Sequence, residues 1–159
     1  MTNILVLDTA TEACSAALLH DGQLSFQYEL APQAHTRKIL PMCSELLQEA
    51  GLELTTLDAI AFGQGPGSFT GVRIGIGVAQ GLAFGAQRPL IGVSNLAALA
   101  QGCWRRQQAR YVVAAIDARM NEIYFAAFVE QAGVMTPLCD EEVLAPEVAQ
   151  QKIKALLEQ

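Results

Sequence analysis

Apolar residues run unbroken from Ile4 to Leu7 and stop at Asp8, a pattern that predicts a central strand buried on both faces. Thr9-Ala10-Thr11-Glu12 supplies a polar turn, and a second strand is predicted from about Cys14 to His20. Asp21-Gly22 is a two-residue hairpin signal. Beyond it Leu24, Phe26, Tyr28 and Leu30 alternate with polar neighbours, as in a third strand with one buried face. Three antiparallel strands thus open the chain. Ala31-Pro32 breaks the sheet, and a helix is predicted from Ala34 to Ala50, ended by Gly51, with Pro41 at a kink or in the true first turn. Ile39, Met42, Leu46 and Ala50 share one row of that helix and Leu40, Cys43 and Leu47 the next, an apolar arc wider than a single covered side requires. One row is therefore expected to meet a partner.

A fourth strand, Leu57 to Phe62, leads through Gly65-Pro66-Gly67-Ser68 into a helix from Thr70 to Gln87. Glycine permits positive φ in this turn, proline fixes φ, and Ser68 or Thr70 caps the helix, whose first N–H groups would favour an anion. Gly77, Gly81 and Gly85 recur every fourth residue and form one smooth stripe, with Gly71 and Gly75 on a neighbouring row. Each glycine costs a helix about 1 kcal/mol against alanine, so compensation is expected from a backbone approaching closely, either the sheet or a second subunit. Pro89 to Val93 is a further strand, and Ser94 caps a helix running to about Trp104. Tyr111 to Ile116 and Glu122 to Val129 are strands joined by Asp117-Ala118-Arg119-Met120-Asn121. Gln131-Ala132-Gly133 turns into a third strand, and Pro146 opens a final amphipathic helix. The pattern divides into a first lobe, residues 1–108, and a thinner second lobe, 109–159, expected to be incomplete. No internal repeat is obvious in the sequence.

Composition narrows the function classes. The chain has 159 residues, 52% of them hydrophobic, enough for one substantial core or two small ones. No apolar run approaches the roughly 20 residues that cross a bilayer, and no charged leader precedes the first strand, so a soluble cytoplasmic protein without membrane contact is expected. A formal charge of −6 argues against binding nucleic acid unaided, and Arg105, Arg106 and Arg110 read as a solvated helix end or loop. The four cysteines are widely spaced and the only histidines are His20 and His35, which suggests neither a zinc ribbon nor a disulfide framework. There is no H-E-x-x-H motif, and G-P-G-S-F-T-G lacks both the spacing of a nucleophile elbow and a histidine partner for Ser68.

The order strand ending in aspartate, Thr-x-Thr turn, Asp-Gly hairpin, helix, strand and glycine loop resembles the first lobe of the actin, Hsp70 and sugar-kinase superfamily, an α/β, ribonuclease H-like fold. The segments I-L-x-L-D-T-A-T, G-Q-G-P-G-S-F-T-G-V-R-I-G and I-D-A-R-M-N-E-I-Y are similar to those of the TsaB (YeaZ) family across nearly the whole chain. That resemblance implies a non-catalytic subunit that assists a TsaD-like catalytic subunit and a TsaE-like ATPase in forming threonylcarbamoyladenosine at position 37 of tRNAs reading codons that begin with A. It further implies a homodimer when the chain is alone, and tRNA held only through the complex. The catalytic relative builds a metal site on an H-x-x-x-H pair; here His35 matches the first ligand and Ile39 replaces the second, so no metal site is expected.

Two residue sets carry these expectations. The partner surface is read as His35, Ile39, Met42, Cys43 and Leu46 on the first helix with Arg73, Ile74, Gly77, Val78 and Gly81 on the second. The vestigial nucleotide set is Asp8, Thr9, Thr11, Gly65, Gly67 and Ser68. For Asp8 and the threonines, magnesium and phosphate binding stands beside a capped strand end. For the glycine loop, a phosphate contact stands beside a turn required by packing alone. No catalytic residue and no firm cofactor is assigned, only weak magnesium-nucleotide binding as an option. Asp117 and Arg119 face a cleft or form a local hairpin pair. The alternatives in function are an autonomous ATP-binding phosphotransferase of the sugar-kinase type and a self-associating binding module.

Overall fold

The computed structural model describes residues 2–158, which divide into two compact units, one ending at Val93 and the other beginning at Ser94. In the first unit β1 (Ile4–Asp8), β2 (Ala13–His20) and β3 (Gln23–Leu30) form an antiparallel meander, followed by α1 (His35–Glu49), β4 (Ala59–Gly63), α2 (Phe69–Ala86) and β5 (Leu90–Val93). The sheet order is β3-β2-β1-β4-β5, with β4 parallel to both β1 and β5. Asp21 and Gly22 both take positive φ, as the expected two-residue hairpin requires. Ser68 caps α2 by accepting a hydrogen bond from the Gly71 N–H at 3.0 Å.

Both helices lie on one face of this sheet. Leu5, Leu7, Ala16, Leu18 and Ile60 point into a core closed by Ile39 and Leu46 of α1 and by Ala79, Ala83 and Ala86 of α2. Two expectations change here. Ile4, Val6 and Asp8 are only half-buried, so β1 has one fully covered face, and Leu24, Phe26, Tyr28 and Leu30 on β3 are 61–69% exposed instead of buried. The alternation is real, but its apolar side points away from the helices. Both apolar rows of α1 face inward, leaving Leu40 as its exposed large apolar residue at 47%. Pro41 sits inside α1 on the exposed side.

The second unit comprises α3 (Asn95–Gln107), β6 (Tyr111–Arg119), β7 (Glu122–Gln131), β8 (Val134–Pro137), β9 (Glu142–Leu144) and α4 (Pro146–Leu157). β7 pairs with β6 on one side and with β8 and β9 on the other, β9 being a strand the sequence pattern had not indicated. Leu96 and Ala100 of α3 pack on Ala114, Ala126, Phe128 and Met135, while Ala149 of α4 packs on Phe125 and Ala127, so each face of β7 is covered by a helix. Gln101 ties α3 to the β7–β8 hairpin: its amide donates to the Gly133 carbonyl at 3.0 Å and its oxygen accepts the Met135 N–H at 2.8 Å. Expected in the first lobe, α3 thus belongs with the second sheet, because its apolar side is spent there. Three strands precede α1 in the first unit, whereas four, β6 to β9, precede α4 in the second, where β8 and β9 share one edge of β7.

Candidate functional site

The turn after β1 and the loop before α2 are brought together, as the nucleotide-site expectation requires, but they meet in direct contact. The Asp8 carboxylate accepts the Ala10 N–H at 2.8 Å, an Asx turn that caps the strand end. The buried Thr9 hydroxyl donates to the Gly71 carbonyl at 2.7 Å, and the Ser68 N–H donates to the Ala10 carbonyl at 2.7 Å. The exposed Thr11 hydroxyl accepts the Ala13 N–H at 3.2 Å. Gly65 has φ +98° beside a cis peptide to Pro66. A Cβ on Gly67 would overlap the Ala10 carbonyl, one on Gly71 the Thr9 carbonyl, and one on Gly75 would stand 2.8 Å from the Thr9 hydroxyl oxygen. Backbone packing of α2 on the Thr9–Ala10 turn therefore accounts for these glycines, and donors that would face a phosphate, such as the Ser68 and Gly71 N–H groups, already have partners within the protein.

α2 carries two glycine rows with different surroundings. Gly71 and Gly75 continue through Ala79 and Ala83 as the row against the sheet, whereas Gly77, Gly81 and Gly85 have open space where a Cβ would stand. Beside that open row Phe84 is 88% exposed. Arg73 folds back over Phe69, its carbon 3.4 Å from the ring centroid and Nη1 donating to the Phe69 carbonyl at 3.0 Å. Ile74 and Val78 are half-buried.

The α1 part of the expected partner surface is corrected: His35, Ile39, Met42, Cys43 and Leu46 are all buried within the chain. Helical spacing identifies rows, and here the β2–β3 overhang and α2 absorb both of them. His35 Nε2 lies 2.9 Å from the Thr11 carbonyl and 3.2 Å from the Ala13 carbonyl; carbonyls only accept, so this nitrogen carries a proton and holds the start of α1 to β2. The exposed flank of α1 borders an open groove of about 670 Å³ lined by Leu40, Ser44, Gln48, Leu54 and Leu82.

Among the described residues, no group of three or more His, Cys, Asp or Glu side chains is arranged to hold a metal ion. Burial, and then its neighbour Cys14, push the Cys43 thiol up to about 12; burial, followed by Glu29 and Asp8, raises Cys14. These are packing thiols rather than nucleophiles. Asp117 accepts the Arg119 N–H at 2.8 Å, and Arg119, Met120 and Asn121 all take positive φ at the hairpin tip. No described helix is long and apolar enough to cross a membrane. Phe69, Phe84 and the acceptor role of Ala10 were missed in the sequence; Gly67, which packs on the Ala10 carbonyl, was the available signal for the last.

Residues 26–157 match the family described as TsaD, tRNA N6-adenosine threonylcarbamoyltransferase. The Escherichia coli K12 tRNA threonylcarbamoyladenosine biosynthesis protein TsaB is 52% identical over 96% of this chain and 67% of its own length. The Haemophilus influenzae protein of the same name is 59% identical over 80% of this chain and 54% of its own. The structure of YeaZ from Pseudomonas aeruginosa superposes with a TM-score of 0.89 at 55% identity, over 92% of this chain and 68% of that one. The β3-β2-β1-β4-β5 order with its crossover helices is accordingly the actin-like, ribonuclease H-like fold. With a family match over most of its length and a relative at this identity, the chain belongs to the TsaB branch of the TsaD family.

Proposed function

We propose that this chain acts in threonylcarbamoyladenosine synthesis as a non-catalytic subunit that docks a TsaD-like catalytic partner through the outer side of α2 and the exposed flank of α1. The observation that carries the docking surface is the open row Gly77, Gly81 and Gly85 beside the exposed Phe84. Those glycines weaken the helix and receive nothing from the chain itself, a cost that close approach of another helix would offset. Arg73, Ile74 and Val78 flank the row and complete the surface. A second copy would use the same face when the partner is absent, and a TsaE-like ATPase would join the assembled pair.

The non-catalytic role is supported by the engagement of Thr9, Ser68 and Gly71 in internal hydrogen bonds and by the placement of His35 against backbone carbonyls. The charge of −6 supports tRNA being held by partners, in the cytoplasm where that modification chemistry operates. Purified TsaD-like and TsaE-like proteins, unmodified tRNA and threonylcarbamoyl-adenylate, with and without this chain, test the role by mass spectrometry of the nucleoside. Product only in its presence is expected; equal product without it rejects the role for these residues. Gly81→Leu should leave the isolated chain folded, since space is open there, and abolish co-elution with the TsaD-like partner. Tight magnesium-ATP binding with turnover by the chain alone would instead support the phosphotransferase reading.

A further inference from the structure

Charge is unevenly divided along this chain. None of its 16 acidic residues lies between Asp58 and Asp117, while Arg73, Arg88, Arg105, Arg106 and Arg110 place half of its 10 Lys and Arg residues there. Most of that tract is apolar helix and strand, but its last arginines come together. Arg105 and Arg106 stand in the final turn of α3, and Arg110 closes the short connection from α3 to β6. All three side chains are exposed.

This corner is firmly held. The Gln108 N–H closes α3 on the Trp104 carbonyl at 2.7 Å, and the Trp104 ring lies against the β7–β8 turn, where a Cβ on Gly133 would stand 3.8 Å from it. Arg106 lies back along the helix, its Nε donating to the Gly102 carbonyl at 3.2 Å, and the Arg110 guanidinium stands 5.6 Å over the Tyr111 ring. Among the described residues no carboxylate forms an ion pair with any of the three. Glu130, whose N–H donates to the Arg110 carbonyl at 2.8 Å, spends its own carboxylate on the Gly133 N–H at 2.7 Å. The carbonyl end of a helix favours cations in its last turn. That does not account for Arg110, outside the helix, nor for three like charges kept together without counter-charge in a chain rich in carboxylates. An anion shared among them removes the repulsion.

We infer that Arg105, Arg106 and Arg110 contact backbone phosphates of the tRNA in the assembled complex. Exposed guanidinium groups from neighbouring positions fit the repeated phosphates of a nucleic-acid strand, whereas a small anion requires an enclosed site and none of the three is buried. The contact adds to the hold exerted by the partners. With a formal charge of −6 the chain alone repels RNA, so the corner acts once the partners have brought the strand to it. This inference rests on the role in tRNA modification proposed above and gives the chain a direct contact with the substrate of that reaction.

The test assembles the chain with purified TsaD-like and TsaE-like proteins and follows binding of fluorescent unmodified tRNA by anisotropy over a series of salt concentrations. Replacing all three arginines by Gln should weaken binding about tenfold and make the dependence of log affinity on log salt shallower by about two, the loss expected for three phosphate contacts. Replacing them by Lys should keep most of both, because phosphate is met chiefly by charge. Arg119→Gln combined with Lys154→Gln removes charge from the far end of β6 and from α4, and should change binding less than about twofold. Unchanged affinity and salt dependence in the triple Gln variant, with assembly intact, overturns the inference. An equal loss in the Arg119→Gln, Lys154→Gln chain also overturns it, by making overall charge the cause. So does loss of co-elution with either protein before tRNA is added, which would make the corner a protein contact. Failure of the unsubstituted chain to assemble would instead reject the proposed role itself, and the inference with it.

Discussion

The two faces of the first sheet are built from alternate residues of the same strands, yet one is packed and the other bare. On the packed face Leu5, Leu7 and Ile60 are fully enclosed by α1 and α2, and Gly71 brings the helix backbone onto the Thr9 carbonyl. On the bare face Phe26 and Tyr28 stand in solvent. The inner strands β1, β2 and β4 carry apolar residues on both sides, so composition does not distinguish their faces; what does is whether a helix has been delivered to that side. The difference teaches that period-two alternation reports which residues share a face and leaves open which face is covered.

The sharpest way to break the packed face is Gly71→Ala. Its methyl would overlap the Thr9 carbonyl, a backbone group that cannot swing aside, and would crowd the capping Ser68 hydroxyl, so a loss of about 3 kcal/mol is expected in denaturant unfolding. A smaller effect tests whether Thr9 is the cause. Gly75→Ala meets only the Thr9 side chain and, at a longer distance, its N–H, so Thr9→Ala combined with Gly75→Ala should cost less than the sum of the two, with a coupling of about 1 kcal/mol. Additive losses would show that the helix is held away from the turn by something else.

Cys43 reports the packed face through pH. Burial raises its thiol from 9.0 in the unfolded reference to about 12, so between those values the unfolded chain releases a proton that the folded chain keeps. This contribution to stability is complete below pH 9 and declines as pH rises toward 12, at up to about 1.4 kcal/mol per pH unit where the unfolded thiolate dominates. Cys43→Ala should flatten that decline in unfolding measured across this range.

On the open side of α2 the sign reverses. Gly77→Ala, Gly81→Ala and Gly85→Ala should each stabilise the isolated chain by about 0.5–1 kcal/mol, seen as a higher unfolding midpoint. A loss at any of them would place an unrecognised contact there. The smallest effect belongs to the bare face: Phe26→Ser should alter stability by no more than about 0.5 kcal/mol while lowering dye binding, as expected of a side chain already in water.

Much of the site was legible because turn chemistry is local. The Asp21-Gly22 hairpin, the Ser68 and Ser94 caps and the glycine loop all act within a few residues of themselves, and each formed where the sequence indicated. The partner surface on α1 was not legible, because Ile39, Met42, Cys43 and Leu46 look the same whether they face a sheet of their own chain or another protein. The packing of α3, expected in the first lobe, was not legible for a related reason: chain order places it after β5, while its Leu96 and Ala100 pack with Phe128 and Met135, which come later.

The sequence by itself determined every strand but β9, the four helices, the Ser68 and Ser94 caps, the Asp21-Gly22 turn and the family, since these depend on short-range sterics, hydrogen bonding and recognisable runs of residues. Tertiary structure alone decided that the glycine loop is packed against the Thr9–Ala10 turn, that one glycine row of α2 is filled and the other open, and that the apolar side of β3 is exposed. Each of those outcomes depends on which distant surface arrives at a given residue, and burial is a property of the pair of surfaces rather than of either sequence segment.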